Sequence, residues 1–393
     1  MSARWLTLWM LLWGSTAAAA DLPAIRIGLV VPTAAEAGPV AQSMRRAAEM
    51  AVAEWAPKLG RPVELRIKED QFDPKQAAVT AEQLVQDGVW GVVGHFYSSS
   101  SIPASAVYAA ASIPLITPTS THPRLTGQGF DNVFRVTGRD DQQAITAATF
   151  VLDTLKARRI AIVHDQTEYG SGLAETFERS IARRAPKAVV LTETLAQGDR
   201  DFSAQVSALK AARAEVVYFG GIFREAGALI RQMRQAGLTT VFVSGDAVLD
   251  TEFVRLAGED AAVGSYLTFY PDPKRLASAG SFRREFENRY GSIGPYVLYT
   301  YDAVGVLLQA IQTAKATDNS PQALRRIIQA IRTRPYHGAL GTLRWDKNGD
   351  LVASPYVMYV TKKGGDFQGW FQELPPAAPP THSTRTPVKG TVP

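Results

Sequence analysis

The sequence of 393 residues has no cysteine. That removes disulfides, thiolate metal sites and cysteine nucleophiles together. Histidine is scarce: His95, His122, His164, His337 and His382 are scattered without metal-ligand spacing. Long apolar runs are missing too. The stretch Trp5–Trp13 is the longest candidate, and a bilayer-spanning helix needs about 20 apolar residues. Lys and Arg number 42 against 37 Asp and Glu, a formal charge of +5, yet no block of like charge concentrates it. Nor do basic residues interleave with aromatics, so a nucleic-acid partner is not expected. There is no H-E-x-x-H, no phosphate-binding G-x-x-x-x-G-K, no G-x-G-x-x-G after a strand and no G-x-S-x-G elbow. These absences argue against an enzyme, a metal centre or a bound cofactor.

What remains is an ordinary globular composition, 46% hydrophobic and 20% charged, long enough for two or three domains. Residues 1–20 carry Arg4, the short apolar stretch and Ala18-Ala19-Ala20, the pattern of a cleaved export signal. With no cysteine after the break, a lipid anchor is excluded. The expectation is an exported, soluble periplasmic chain starting near Asp21, with no membrane insertion after cleavage. From Pro375 to Pro393 a Pro/Thr-rich stretch cannot supply a core and reads as a disordered tail.

Between these ends, short strand patterns alternate with helical ones. Ala24–Val31 is apolar and β-rich. Val40, Ala47, Ala48, Ala51 and Trp55 share a helical face, and Val63, Leu65 and Ile67 alternate as a half-buried strand. Asp73-Pro74 opens a helix that Gly88 closes. Strands follow at Val89–Val93 and Ile113–Thr117. After Gly138 the pattern restarts, with a helix over Asp141–Lys156 and strands at Arg159–Val163, Ala188–Leu191, Val216–Phe219 and Thr240–Val243. Strands spaced by helices imply parallel sheets covered on both faces, and two such runs imply two doubly wound α/β lobes. Long helices after residue 270 and strands near Gly341–Trp345 and Tyr356–Val360 suggest that the chain returns to the first lobe and ends on the second.

The chemistry concentrates after three strands. Gly94-His95-Phe96-Tyr97-Ser98-Ser99-Ser100-Ser101 puts hydroxyls and unpaired amides where a helix begins beyond a strand's carboxyl end. That suits an anion, and local sequence fits a plain Ser-rich cap equally. Thr117-Pro118-Thr119-Ser120-Thr121 follows the next strand, and together the two loops could wrap one carboxylate. Ser244-Gly245-Asp246 ends a third strand. Asp246 there could hold an ammonium or cap a helix starting near Leu249. His164-Asp165 also ends a strand, and reads more simply as a hydrogen-bonded loop than as a proton relay.

These stretches resemble the periplasmic leucine/isoleucine/valine-binding proteins, the type I substrate-binding proteins of ABC transporters. The resemblance rests on Gly38-Pro39-Val40-Ala41-Gln42, Asp73-Pro74-Lys75-Gln76-Ala77, Gly94-His95 with Ser98-Ser99-Ser100, and Ile116-Thr117-Pro118 with Thr121. It continues through Arg159–Asp165, Tyr169-Gly170, Gly220-Gly221, and Trp345-Asp346 with Gly349-Asp350-Leu351. It implies a clamshell whose lobes, 21–140 with 271–352 and 141–270 with 353–374, are joined by three crossovers. It further implies that Ser98 and the Thr121 backbone hold an amino acid's carboxylate. The Thr119 carbonyl, the Thr121 hydroxyl and Asp246 would hold its ammonium, with Tyr169 and Tyr296 lining the pocket.

Four departures stand out. Ser43 replaces an aromatic, and Ile222 followed by Phe223 replaces a tyrosine. Asp246 is a methylene shorter than the family's glutamate. Phe72 and Tyr97 replace two disulfide cysteines, and two rings there could pack together and keep the loop. Tyr97 and Phe223 thereby become candidate pocket residues. Arg224 and Arg45, near the changed positions, read as solvated surface or as favouring an acidic ligand.

The expected role is capture of a branched-chain or other apolar amino acid by a monomer. The monomer then delivers it to the permease subunits of an ABC importer. The alternatives are an amide, urea-like compound or aromatic carboxylate on the same scaffold, or service as the ligand sensor of a membrane receptor.

Overall fold

The computed structural model describes residues 23–32 and 34–375. The expected signal segment 1–20 and the tail from residue 376 onward lie outside the described residues.

The first sheet is built from β1 (Ile25–Val30), β2 (Val63–Lys68), β3 (Gly91–Val93), β4 (Leu115–Thr117) and β5 (Val133–Arg135), in spatial order β2-β1-β3-β4-β5. All its pairs are parallel. The central strands are apolar runs because helices cover both faces, whereas β2 at the edge alternates. The second sheet repeats the plan with β6 (Ile160–His164), β7 (Val189–Thr194), β8 (Val216–Gly220), β9 (Val241–Ser244) and β10 (Tyr266–Phe269). A small hairpin, β11 (Tyr336–Gly338) with β12 (Gly341–Leu343), follows on the first lobe's return segment. The chain then adds β13 (Val357–Thr361) and β14 (Phe371–Glu373) antiparallel beside β10. The full second order is β14-β13-β10-β9-β8-β6-β7. This is the two-lobed doubly wound architecture the alternating patterns implied.

The expected helix after Asp73 is present over Pro74–Gln86, with Asp73 accepting from the Lys75 amide at 2.7 Å and Pro74 at the first turn. The helix expected over 141–156 starts at Asp140 and loosens into π geometry over Phe150–Thr154. The helix Val297–Thr313 is buried on nearly every side. It packs between the helix Ala34–Leu59 and the first sheet, so the late chain does return to the first lobe.

The chain passes between the two sheets three times, near Gly138, Tyr270 and Tyr356. The three passes touch. The Gly138 amide donates to the Tyr270 hydroxyl at 3.0 Å, and the Tyr270 and Tyr356 hydroxyls are 2.8 Å apart. A side chain at position 138 would begin 2.5 Å from the Tyr356 ring, so glycine is what lets the strands converge.

Candidate functional site

Both sheets have the same strand order around their first strand, and both end their central strands toward a shared crevice. Ligands collect at such strand ends in open α/β sheets. The crevice holds a small cavity whose wall includes Tyr97, Ser98, Thr119, Thr121, Tyr169, Asp246 and Tyr296. Phe96 and Ala247 complete it. The loops after β3 and β4 contribute one side, and the turn after β9 and the helix Glu168–Arg184 the other. Phe223 is not on this wall. It opens the helix Phe223–Gln235 and is packed into the apolar core with Ile222 beside it. Its ring is thus off the wall on which it was expected.

Asp246 is buried at the centre of a dense network. Its Oδ1 accepts from Gln143 Nε2 at 2.8 Å and from the Tyr169 hydroxyl at 2.9 Å, and its Oδ2 accepts from the Tyr296 hydroxyl at 2.8 Å. Its amide donates to Gln143 Oε1 at 2.8 Å. Thr268 donates to the same Oε1 at 2.6 Å, which fixes the Gln143 side chain. Burial pushes the Asp246 carboxyl above its ordinary value, and the Gln143, Tyr296 and Tyr169 donors pull it part of the way back. Burial and the Asp246 charge hold both phenols well above their ordinary range, so they stay donors. Asp246 begins a short 3-10 turn and does not cap the next helix. That cap is Asp250, which accepts from the Glu252 amide at 2.8 Å. The simple capping explanation of Asp246 therefore falls away.

The opposite wall is built from hydroxyls. Ser98 is the first residue of the helix Ser98–Ala110, whose N-cap Tyr97 makes no side-chain capping bond. Ser98 Oγ accepts from the His122 amide at 3.3 Å, so it too serves the neighbouring loop and does not cap its own helix. The Thr119 hydroxyl donates to the Phe96 carbonyl at 2.6 Å. Both loops hang on His95. Its Nδ1 lies 2.7 Å from Asp70 Oδ2, its Nε2 lies 3.0 Å from the Tyr108 hydroxyl, and its carbonyl accepts from the hydroxyls of Ser101, Thr117, Thr119 and Ser120 at 3.2–3.3 Å. Fully buried Arg135 holds the second loop from below, through the Ser120 and His122 carbonyls at 2.7 and 3.1 Å. Phe72 and Tyr97 pack edge to face with centroids 4.6 Å apart, closing the loop as two rings were expected to.

His164 is outside the cavity. It accepts from the Gln166 amide at 3.2 Å, the loop role. Sequence reading missed Gln143, Asp140, Phe96 and Ala247. Gln143 and Asp140 belong to the first turns of a helix, where polar residues carry no mark of burial. Gln143 meets Asp246 across 103 residues of chain, and Asp140 bonds to Gln143.

The arrangement has two poles. One is the N-terminus of the helix Ser98–Ala110, with Ser98 and Thr121, which favours negative charge. The other is a buried carboxylate, which demands a cation. A larger, open hollow beside Val31, Gln42 and Lys68 has no such polarity. There Arg45 pairs with Glu49 and Lys68 with Asp87.

Among the described residues no helix is long and apolar enough to cross a membrane. Residues 24–366 match the family model of the periplasmic binding proteins. An amino acid binding protein of Pseudomonas aeruginosa is 40% identical over 320 residues, covering 80% of this chain and 82% of that protein. Leu/Ile/Val-binding protein homolog 1 of Brucella abortus is 37% identical over 346 residues, covering 87% and 91%. Among solved structures, the leucine binding protein LivK of Thermotoga maritima superposes with a TM-score of 0.79 at 27% identity, covering 88% of this chain and 97% of that one. Matched over residues 24–366 and at such identity, the chain belongs to the periplasmic binding protein family.

Proposed function

We propose that this protein captures an apolar α-amino acid, of the branched-chain class, in the crevice between its lobes and delivers it to the permease of an ABC importer. The observation that carries this is the buried Asp246 facing a helix N-terminus across one small cavity. A zwitterion leaving water needs both charges paired, because an uncompensated buried charge costs several kcal/mol. A ligand with only a carboxylate would set a second anion against Asp246. Relatives named for leucine, isoleucine and valine support the ligand class.

In this reading Ser98 and the Thr121 amide receive the carboxylate. Asp246, with the Thr121 hydroxyl and the Thr119 carbonyl, receives the ammonium, and Tyr97, Tyr169 and Tyr296 enclose the side chain. The binding groups come from both lobes, so ligand favours the closed form through its better contacts there. The lobes divide near residues 140, 270 and 352, beside the crossings at Gly138, Tyr270 and Tyr356. The protein is exported to the periplasm, works as a monomer and performs no chemistry on its cargo.

Thermal melting with L-leucine, L-isoleucine and L-valine tests this, since ligand bound only to the folded state raises Tm by mass action. Protein refolded from denaturant, to strip carried-over ligand, should gain Tm with at least one of the three. Asp246→Ala should weaken that binding about a hundredfold or more, on the order of 3 kcal/mol. Arg224→Ala, off the cavity wall, should cost far less. No shift with any amino acid, or equal losses in the two variants, would overturn the reading.

A further inference from the structure

Asp140 has no part in the reading above, yet it is tied to the same site. It is fully buried at the start of the helix Asp140–Thr149. Its Oδ1 accepts from Gln143 Nε2 at 3.0 Å, and that same nitrogen donates to Asp246 Oδ1 at 2.8 Å. Its Oδ2 makes no hydrogen bond among the described residues, although the Thr121 hydroxyl stands near enough to Asp140 to favour its charged form. Its amide donates to the Thr121 carbonyl at 3.0 Å, which hangs it beneath the hydroxyl-rich loop.

The groups facing it come from several elements. Asp246 faces it from the turn after β9, Tyr169 from the helix Glu168–Arg184, Tyr218 from β8 and Tyr356 from the last crossing. The three phenols are held neutral by burial. Among the described residues Arg135 on β5 is the cation whose charge reaches Asp140. Its guanidinium is engaged elsewhere, with Asp350 at 2.6 Å, Thr126 at 2.8 Å and the carbonyls of Ser120 and His122. Arg139 and Asp141, on either side of Asp140 in sequence, pair with each other. Two carboxylates bonded to one amide nitrogen, away from water and without their own cation, cannot both be ionised.

We propose that Asp140 and Asp246 share one proton in the empty cleft, and that the ligand's ammonium expels it. The inference rests on the amino-acid reading of this site. The ammonium beside Asp246 supplies the missing positive charge, the Asp140 O–H bond breaks, and the proton passes to bulk water. Burial first, and the charge of Asp246 second, push Asp140 up to about 8, so the proton is held at neutral pH. The pair also becomes a specificity device: a neutral amide or a bare carboxylate brings no positive charge to displace the proton.

Isothermal titration with L-leucine at pH 7.0, in phosphate and in Tris, tests the proposal, because the two buffers take up a proton with different heats. The wild-type enthalpies should differ by the equivalent of about one released proton. Affinity should tighten with pH by up to about tenfold per unit between pH 6 and 8, then level off. In Asp140→Asn the buffer difference and the pH slope should both disappear while leucine still binds. Equal wild-type enthalpies in the two buffers with a flat affinity profile would overturn the shared proton and leave the amino-acid reading standing. No binding of leucine, isoleucine or valine would overturn both. If Asp140→Asn does not fold, the wild-type proton count and slope decide alone.

Discussion

Asp246 reaches its two phenols because of the residue before it. A side chain at Gly245 would begin 2.5 Å from the Tyr169 hydroxyl, so only glycine lets that phenol close on the carboxylate. Asp140 shows the opposite economy, a carboxyl kept where its ionised form is unwelcome. The folded state holds its proton up to about pH 8, whereas an unfolded aspartate releases it near pH 4. Between those values the native state binds more protons, so raising the pH favours unfolding. His122 and His164, lowered by burial, oppose this below about pH 6.5, so ligand-free protein should lose Tm from there to pH 8. Asp302, pushed up to about 7 by burial, and Asp165 and Asp250, each pushed up to about 6 by burial, act in the same direction lower in the window. Asp140→Asn should flatten the part of the decline above pH 7. A Tm that rises across pH 7–8 in the wild type would contradict the buried neutral carboxyl.

The helix Ser98–Ala110 presents its N-terminus to the cleft without a side-chain cap, and Ser98 bonds across to the next loop. Ser98→Ala should therefore cost no more than about 1 kcal/mol in a urea melt of the ligand-free protein, the worth of one hydrogen bond. Leucine affinity should fall by more than that. A stability loss larger than the affinity loss would mean that Ser98 serves the fold first. Strands and helices with clear periodicity or caps, such as Asp73-Pro74, were legible in the sequence. The three-residue strand β5 was not. Its last residue, Arg135, is fully buried with a charge satisfied by Asp350, 215 positions later. A buried arginine cannot be told from a surface one until that partner is in place. The same reason hid Asp140 and Gln143, whereas the hydroxyls and Asp246 stood out because they follow apolar strands.

At the scale of the whole molecule, the lobes meet at Gly138, Tyr270 and Tyr356, with Asp350 binding both Arg135 at 2.6 Å and Arg139 at 2.8 Å nearby. Gly138→Val would drive a side chain into the Tyr356 ring and force the crossings apart. Small-angle scattering should then show a larger radius of gyration with saturating leucine than the wild type shows. Leucine affinity should fall although every cavity residue is unchanged. An unchanged radius would mean that the crossings tolerate separation without altering closure.

The ring pair Phe72–Tyr97 closes its loop with no sulfur, in a chain with no thiol of its own. Such a protein can be made in a reducing cytosol without an oxidative folding step. One cysteine introduced on the rim of the cleft would be its sole labelling position. A dye attached there would change brightness as the lobes close, turning the molecule into an optical gauge of its own cargo.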